Sequence, residues 1–247
     1  MSKLVFSDKY KIRASDIDKN SKLKFNELVN YMQEAAWNSA KSLGFSTYEM
    51  LRKNISWVLN QQYFEVHRIP EHGETIEIQT WPSGMDKYFV YRDFKIYDSN
   101  KNLILESYSK WVVLDIIARK MISVPDSIRE TKLNIPNSIN FNFKKIRSDA
   151  SLVTSEFPIT VGWTDLDLNG HINNSQYFKW IVDALDEASL SQKSIKSLDI
   201  IFKSEGILRD VLASKVGFKN DNHSSHNIVN IENQKELVLA EIIFNNN

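Results

Sequence analysis

Cysteine is absent from the 247 residues, which removes disulfides, thiolate metal sites and a cysteine nucleophile together. Chemistry therefore falls to oxygen and nitrogen groups. Long apolar runs are also missing: the longest, such as Trp111 to Leu114 and Leu237 to Ala240, fall far short of the roughly 20 residues a membrane-spanning helix needs. Net charge is missing as well, since 31 Lys and Arg balance 31 Asp and Glu, so no global basic field draws a nucleic acid or an anionic membrane. The stretch Met1 to Lys9 has neither the apolar core of a secretory signal nor the arginine-rich look of a transit peptide, and the expectation is a cytoplasmic protein. What is present is ordinary for a globular chain, 42% apolar and 25% charged residues, long enough for one large domain or two small ones.

An internal repeat organises the chain. Asp16-Ile17-Asp18-Lys19-Asn20-Ser21-Lys22-Leu23 matches Asp165-Leu166-Asp167-Leu168-Asn169-Gly170-His171-Ile172 at an offset of 149 residues. Downstream, Leu28, Val29, Met32, Ala35 and Ala36 fall in register with Tyr177, Phe178, Ile181, Ala184 and Leu185, the apolar stripe of an amphipathic helix. Both copies read as D-x-D-x-N followed by a helix.

Strand-like segments follow each helix, with period-two alternation or β-branched and aromatic enrichment. The first set is Ser56 to Phe64, Thr75 to Trp81, Tyr88 to Tyr97 and Ser107 to Leu114; the second is Ser197 to Lys203, Val211 to Phe218, Asn227 to Ile231 and Leu237 to Phe244. Helices and strands do not alternate, so a doubly wound parallel sheet is excluded. The order fits an α+β fold in which an antiparallel sheet packs on one long helix, twice in tandem. The boundary is expected within Thr131 to Asp149, where Pro136, several Asn residues and Lys144-Lys145 interrupt the pattern. The expected domains are 1–147 and 148–247. The first holds 23 basic and 17 acidic groups and the second 8 and 14, a polarity that fits either unevenly solvated faces or a basic surface for an acidic partner.

The repeated segment also passes part of the test for an EF-hand calcium loop. Ser21 stands where the first copy needs Gly, and Gln176 where the second needs the bidentate Glu. Tyr10 to Arg13 and Phe157 to Thr164, with Pro158 at the start of the latter, look like strands, whereas an EF-hand needs an entering helix.

The second copy carries the better chemistry, with His171 in place of Lys22 and Gly170 in place of Ser21. Gly170 relaxes the backbone for close approach of a ligand. Among His67, His72, His171, His223 and His226, only His171 lies in a dense polar cluster, with Asp165, Asp167, Asn169, Asn173 and Asn174. Asn173 or Asn174 suits the helix N-cap, leaving amides for a developing oxyanion. Asp165 reads as a turn and cap residue. Asp167 suits a base or nucleophile, with Asn169 and His171 orienting and polarising a carbonyl.

Trp163-Thr164-Asp165-Leu166-Asp167-Leu168-Asn169-Gly170-His171-Ile172-Asn173-Asn174 resembles the W-x-D-x-D-x-N-x-H-x-N-N signature of acyl-acyl carrier protein thioesterases. The resemblance covers most of the chain, with Tyr10 to Gly44 as a degenerate first repeat, the Trp81 to Tyr97 segment and the helix near Asn174. It implies two hot-dog domains in one polypeptide, each a sheet wrapped around a helix, in the shorter bacterial form without a transit peptide. In that family the Asp, Asn and His of the signature are implicated in catalysis, matching Asp167, Asn169 and His171. A further acid comes from the following strand, and alignment over Ser197 to Glu205 places it on Glu205, beside the readings of Glu205 as a solvent-facing residue or a partner of Lys203 or Arg209. The family often has Cys after that Glu; here Gly206 follows, so a papain-like Cys-His-Asn mechanism cannot operate.

The resemblance implies hydrolysis of acyl-acyl carrier protein to a free fatty acid. Asp167 or Glu205 activates water, or one attacks the thioester to form an anhydride, while Asn169 and His171 position the groups. No metal or organic cofactor is implied. The partner is an acyl carrier protein, its acidic surface meeting basic groups of the first half, while the first repeat supports the acyl chain. Alternatives are an acyl-CoA thioesterase and a non-catalytic acyl-binding hot-dog protein. Met32 and Trp37 fit chain-length selection and core packing equally. Oligomeric state stays open between monomer and homodimer, because a tandem repeat already supplies the pairing that single hot-dog domains reach by dimerising.

Overall fold

The computed structural model describes residues 5–131 and 135–246. Met1 to Leu4 of the N-terminal stretch and residues 132–134 of the expected linker lie outside the described residues. The chain divides into two compact units, residues 1–23 with 28–142 and residues 24–27 with 143–247.

In the first unit, β1 (Phe6–Lys11) leads through a 3-10 turn to α1 (Phe25–Ser42). The stripe read from the sequence is the buried face of α1, with Leu28, Val29, Met32 and Ala35 at most 2% exposed. The helix ends where Gly44 takes a left-handed φ of 81° and Phe45 N–H reaches back to the Ala40 carbonyl at 2.9 Å, an arrangement glycine adopts without a Cβ penalty. A short α2 (Thr47–Leu51) follows, capped reciprocally by Ser46 and Glu49. Next come β2 (Ile55–Val66), β3 (Thr75–Met85), β4 (Phe89–Tyr97), β5 (Leu103–Asp115), β6 (Lys120–Ile122) and α3 (Asp126–Arg129). All ladders are antiparallel in the order β1-β3-β4-β5-β2, with β6 beside the end of β5. Apolar side chains such as Ile76, Ile78, Ile96 and Leu105 fill the interior, and Arg92 of β4 crosses to α1 by donating to Ser39 Oγ at 3.1 Å.

The second unit repeats the plan. β7 (Val153–Thr160) precedes a 3-10 turn, α4 (Asn174–Asp183) and α5 (Glu187–Gln192), then β8 (Lys193–Phe202), β9 (Val211–Asn220), β10 (His223–Asn230) and β11 (Glu236–Asn246). These strands are antiparallel in the order β8-β11-β10-β9-β7. Phe178 and Ile181 of α4 pack over them at 0% exposure, with Leu198, Ile200 and Ile228 beneath.

Three expectations are corrected. The strand before the second motif is Val153–Thr160 and not 157–164; Pro158 lies well inside it, tolerable because β7 pairs only with β9 in this unit's ladder order. Residues 163–165 turn instead, because Asp165 Oδ2 accepts from Gly162 N–H at 2.8 Å. The second helix is also short: Ala184 is its C-cap, and Asp186 starts α5 by accepting from Ser189 N–H at 2.7 Å. Ala184 and Leu185 are buried as expected, but beyond the last helical residue.

Candidate active site

The repeat is reproduced bond for bond. Asp18 N–H donates to the Lys22 carbonyl and Asp167 N–H to the His171 carbonyl, both at 2.7 Å. Asp18 Oδ1 accepts from the amides of Asn20 (2.8 Å) and Lys22 (3.0 Å). Asp167 Oδ1 does the same with Asn169 (2.8 Å) and His171 (3.2 Å). These carboxylates close an Asx turn, which is why D-x-D-x-N appears in both copies. Gly170 has φ of 77° and its counterpart Ser21 has 61°, so the turn itself demands a left-handed residue; this, and not ligand approach, accounts for the glycine. Among the described residues no cluster of three or more His, Asp or Glu is arranged to hold a metal ion.

What differs is the chemistry mounted on the turn. In the first copy Asp16, 3% exposed, is locked by Arg13 (2.8 Å), Ser15 (2.7 Å) and the Tyr31 hydroxyl. Burial alone would raise its pKa, but the hydrogen bonds from Arg13, Tyr31 and Ser15 prevail and hold it at about 2. In the second copy His171 Nε2 lies 3.3 Å from Glu205 Oε2, with side chains 30% and 35% exposed. The local fold makes this meeting: His171 bridges to Ile207, and Ile172 N–H donates to the Gly206 carbonyl at 3.0 Å, which tethers the segment after β8 to the turn. Lys203, the rival partner for Glu205, pairs with Glu236 at 2.5 Å.

His171 therefore joins two parts of the site. Its backbone amide is held by Asp167, its ring faces Glu205, and Asn169 Nδ2 donates to Asp167 Oδ2 at 3.3 Å. Asp165 caps Gly162 as read from the sequence. Asn173, not Asn174, is the N-cap of α4, its Oδ1 accepting from Ser175 N–H at 3.0 Å, so the positive end of a helix dipole starts three residues beyond the imidazole.

The family containing the acyl-ACP thioesterase N-terminal domain matches residues 3–131, and the acyl-ACP thioesterase C-terminal domain matches residues 148–246. The chain belongs to the acyl-ACP thioesterase family. It is 29% identical over 243 residues to the chloroplastic palmitoyl-acyl carrier protein thioesterase of Gossypium hirsutum, covering 92% of this chain and 58% of that protein. It is 30% identical over 224 residues to a chloroplastic acyl-[acyl-carrier-protein] hydrolase of Cuphea viscosissima, 85% of this chain and 54% of that one. The chain thus spans a little over half the length of these curated relatives. The fold is shared with the crystal structure of an acyl-ACP thioesterase from Bacteroides thetaiotaomicron, TM-score 0.89 and 22% identity over 99% of this chain and 100% of that one. It is shared equally with the 12:0-ACP thioesterase of Umbellularia californica, TM-score 0.89 and 24% identity over 98% of each. Each unit is a hot-dog domain, an antiparallel sheet around a helix. No helix among the described residues is long and apolar enough to cross a membrane.

Two features of this candidate site escape sequence reading. Tyr177, read only as part of the apolar stripe, is 2% exposed, with its ring edge-on to Phe202 at 5.8 Å. Burial raises its phenol pKa well above the usual range, the Gly206 amide facing the oxygen opposes this, and Asp210, Glu205 and Asp167 add to the rise. The signal was available: the register partner of Tyr177 is Leu28, so only the second copy has a hydroxyl there. Asp210 is the other, its Oδ2 accepting from Ile207 N–H at 2.9 Å and closing the loop that carries Glu205.

Proposed function

We propose that the protein hydrolyses the thioester of acyl-acyl carrier protein in the cytoplasm, releasing a free fatty acid and ending chain elongation. The observation that carries this is the His171–Glu205 pair, 3.3 Å apart and mounted on the Asp167–Asn169 turn, in a chain whose two halves match the two domains of the family. The names of the relatives point to the same substrate class.

Glu205 is the base in this reading. Asp167 has Oδ1 committed to two backbone amides and Oδ2 to Asn169, which favours a positioning role. Glu205 is partly exposed, and its carboxylate is oriented by the imidazole. A water between Glu205 and the thioester carbon gives its proton to the carboxylate as oxygen attacks carbon. His171, with Asn169, polarises the carbonyl, and collapse of the tetrahedral adduct breaks the carbon–sulfur bond and expels the carrier's thiolate, which takes the proton that Glu205 had accepted and so restores the carboxylate. A thioester is activated enough for a general base and a few oriented dipoles to suffice. Cysteine cannot take part, since the chain has none. The first unit, with Lys22 in the histidine place and Asp16 locked by Arg13 and Tyr31, serves acyl-chain binding instead of a second reaction.

The test is release of free fatty acid from a chain-length panel of carrier and CoA thioesters by wild type, His171→Ala and Glu205→Gln, with folding checked by circular dichroism. Turnover of carrier substrates that collapses in both variants supports the proposal. Turnover of CoA esters alone replaces the partner, and acyl binding without turnover by the wild type sinks the enzymatic reading.

A further inference from the structure

The first unit leaves five large apolar side chains well exposed among its described residues: Tyr48 (62%), Tyr88 (38%), Ile116 (37%), Ile117 (74%) and Met121 (46%). They are not scattered. Ile116 and Ile117 form the tip between β5 and β6, and Met121 sits in β6 opposite Leu114. Ile116 N–H donates to the Asn54 carbonyl at 3.0 Å, joining the tip to the segment that leaves α2, where Tyr48 lies. Val124 N–H donates to the Lys87 carbonyl at 3.0 Å, joining the other side to the turn that carries Tyr88. All five therefore crown one end of the sheet, above a separate small core of Met50, Ile55, Val90, Val113, Val124 and Ile128.

Cations are interleaved with them. Arg52, Lys53, Lys87 and Lys120 are exposed on the same three segments, and Lys87 lies over the Tyr88 ring at 5.2 Å. Two nearby acids each spend an oxygen on the backbone, Asp115 Oδ1 accepting from the Ile117 and Ala118 amides and Asp86 Oδ1 from those of Tyr88 and Phe89, while Asp126 and Glu130, at either end of α3, stay exposed beside them. A projecting aliphatic tip, tyrosines at its margin and a ring of Lys and Arg match the layers of a lipid interface, acyl boundary first and anionic headgroups around it. A projecting tip also suits a soft surface better than a shaped protein groove.

We propose that this end of the first unit docks the protein on an anionic lipid surface, with Ile116, Ile117 and Met121 entering the headgroup boundary and Arg52, Lys53, Lys87 and Lys120 meeting the charges. This is independent of the thioesterase reading, because docking needs no thioester.

The experiment is co-sedimentation of the full chain with phosphatidylcholine vesicles, with and without phosphatidylglycerol, for wild type, Ile117→Asp and the double variant Lys53→Glu/Lys120→Glu. All three substitutions are at exposed positions, and circular dichroism confirms folding. Wild type should bind the phosphatidylglycerol vesicles, salt should weaken that binding, and each variant should lower it by about tenfold or more. A blue shift of Ile117→Trp emission on adding those vesicles reports insertion. Equal binding to both vesicle types, or binding unchanged in the variants, overturns the proposal. So does a raised KM for acyl carrier substrates in the same variants with vesicle binding intact, which assigns the patch to an acidic protein.

Discussion

His171 and Glu205 meet side chain to side chain, Nε2 to Oε2 at 3.3 Å, although one belongs to the turn ahead of α4 and the other follows β8. Nothing in the first repeat reproduces this, because Lys22 takes the place of the histidine and bridges to Glu71. The pair is expected to act as a unit. His171→Ala and Glu205→Gln should each lower kcat by about a hundred- to ten-thousand-fold. The double variant should be only a few-fold worse than the poorer single one. Single-turnover hydrolysis of acyl carrier substrates gives the three rates, and small effects that simply add would show a surface contact without a role.

Asp18 and Asp167 make the same turn, so comparing them separates architecture from chemistry. Asp18→Ala and Asp167→Ala each lose an acceptor for two amides, and each should cost about 1 kcal/mol in urea unfolding. Only Asp167→Ala should also depress kcat, by displacing the His171 backbone. Asp167→Asn keeps the accepting oxygen and should retain kcat within about tenfold. A collapse in that variant would make Asp167, and not Glu205, the base.

Gly206 is tightly enclosed. A Cβ there would stand 2.4 Å from Ile172 Cδ1 and 2.7 Å from Leu237 Cδ2, both on side chains at most 4% exposed. Gly206→Cys, which installs the residue common in the family, should therefore destabilise the fold by about 1–3 kcal/mol, and Ile172→Val should recover part of the loss. Urea titration of the single and double variants measures both. An unchanged midpoint in Gly206→Cys would mean that the loop relaxes freely.

The repeat was readable because an Asx turn imposes its own residues: Asp18 and Asp167 accept the same two amides, and this leaves the same letters in both copies. Strands such as β3 were readable from the alternation of Ile76 and Ile78 with Glu77 and Gln79 in the sequence, and β11 from its apolar and β-branched residues. Short helices were not, since α2, α3 and α5 contain too few residues to show a period. Glu205 could be reached only through resemblance, because its partner is distant in sequence and its own neighbours, Ser204 and Gly206, show no pattern. Tyr177 was hidden for the opposite reason. Its ring fits the apolar stripe so well that the hydroxyl, facing the Gly206 amide, passes unnoticed.

His226 links a buried residue to acid sensitivity. It is 2% exposed in β10, with Nε2 2.8 Å from Ser224 Oγ, and burial depresses its pKa to about 3 from the ordinary 6.5. The folded protein thus keeps the ring neutral over a range in which the unfolded chain takes up a proton. Above pH 6.5 neither state binds it and His226 adds no pH dependence. As pH falls from 6.5 towards 3 the unfolded chain alone gains the proton, and stability declines by at most about 1.4 kcal/mol per unit; below that both states are charged and the decline from this residue stops. Carboxylates with depressed pKa values, such as Asp16 and Glu77, both at about 2, begin to lose their contribution as pH nears their ordinary values of about 4. Asp93, whose carboxyl pKa is raised by burial, takes up a proton in the folded state and works the other way, so the difference between wild type and His226→Gln, and not the wild-type profile alone, gives the histidine's share. Urea unfolding between about pH 6.5 and 4.5 should show falling stability in wild type and a flatter profile in His226→Gln. Parallel profiles would mean that the buried ring accepts its proton without unfolding.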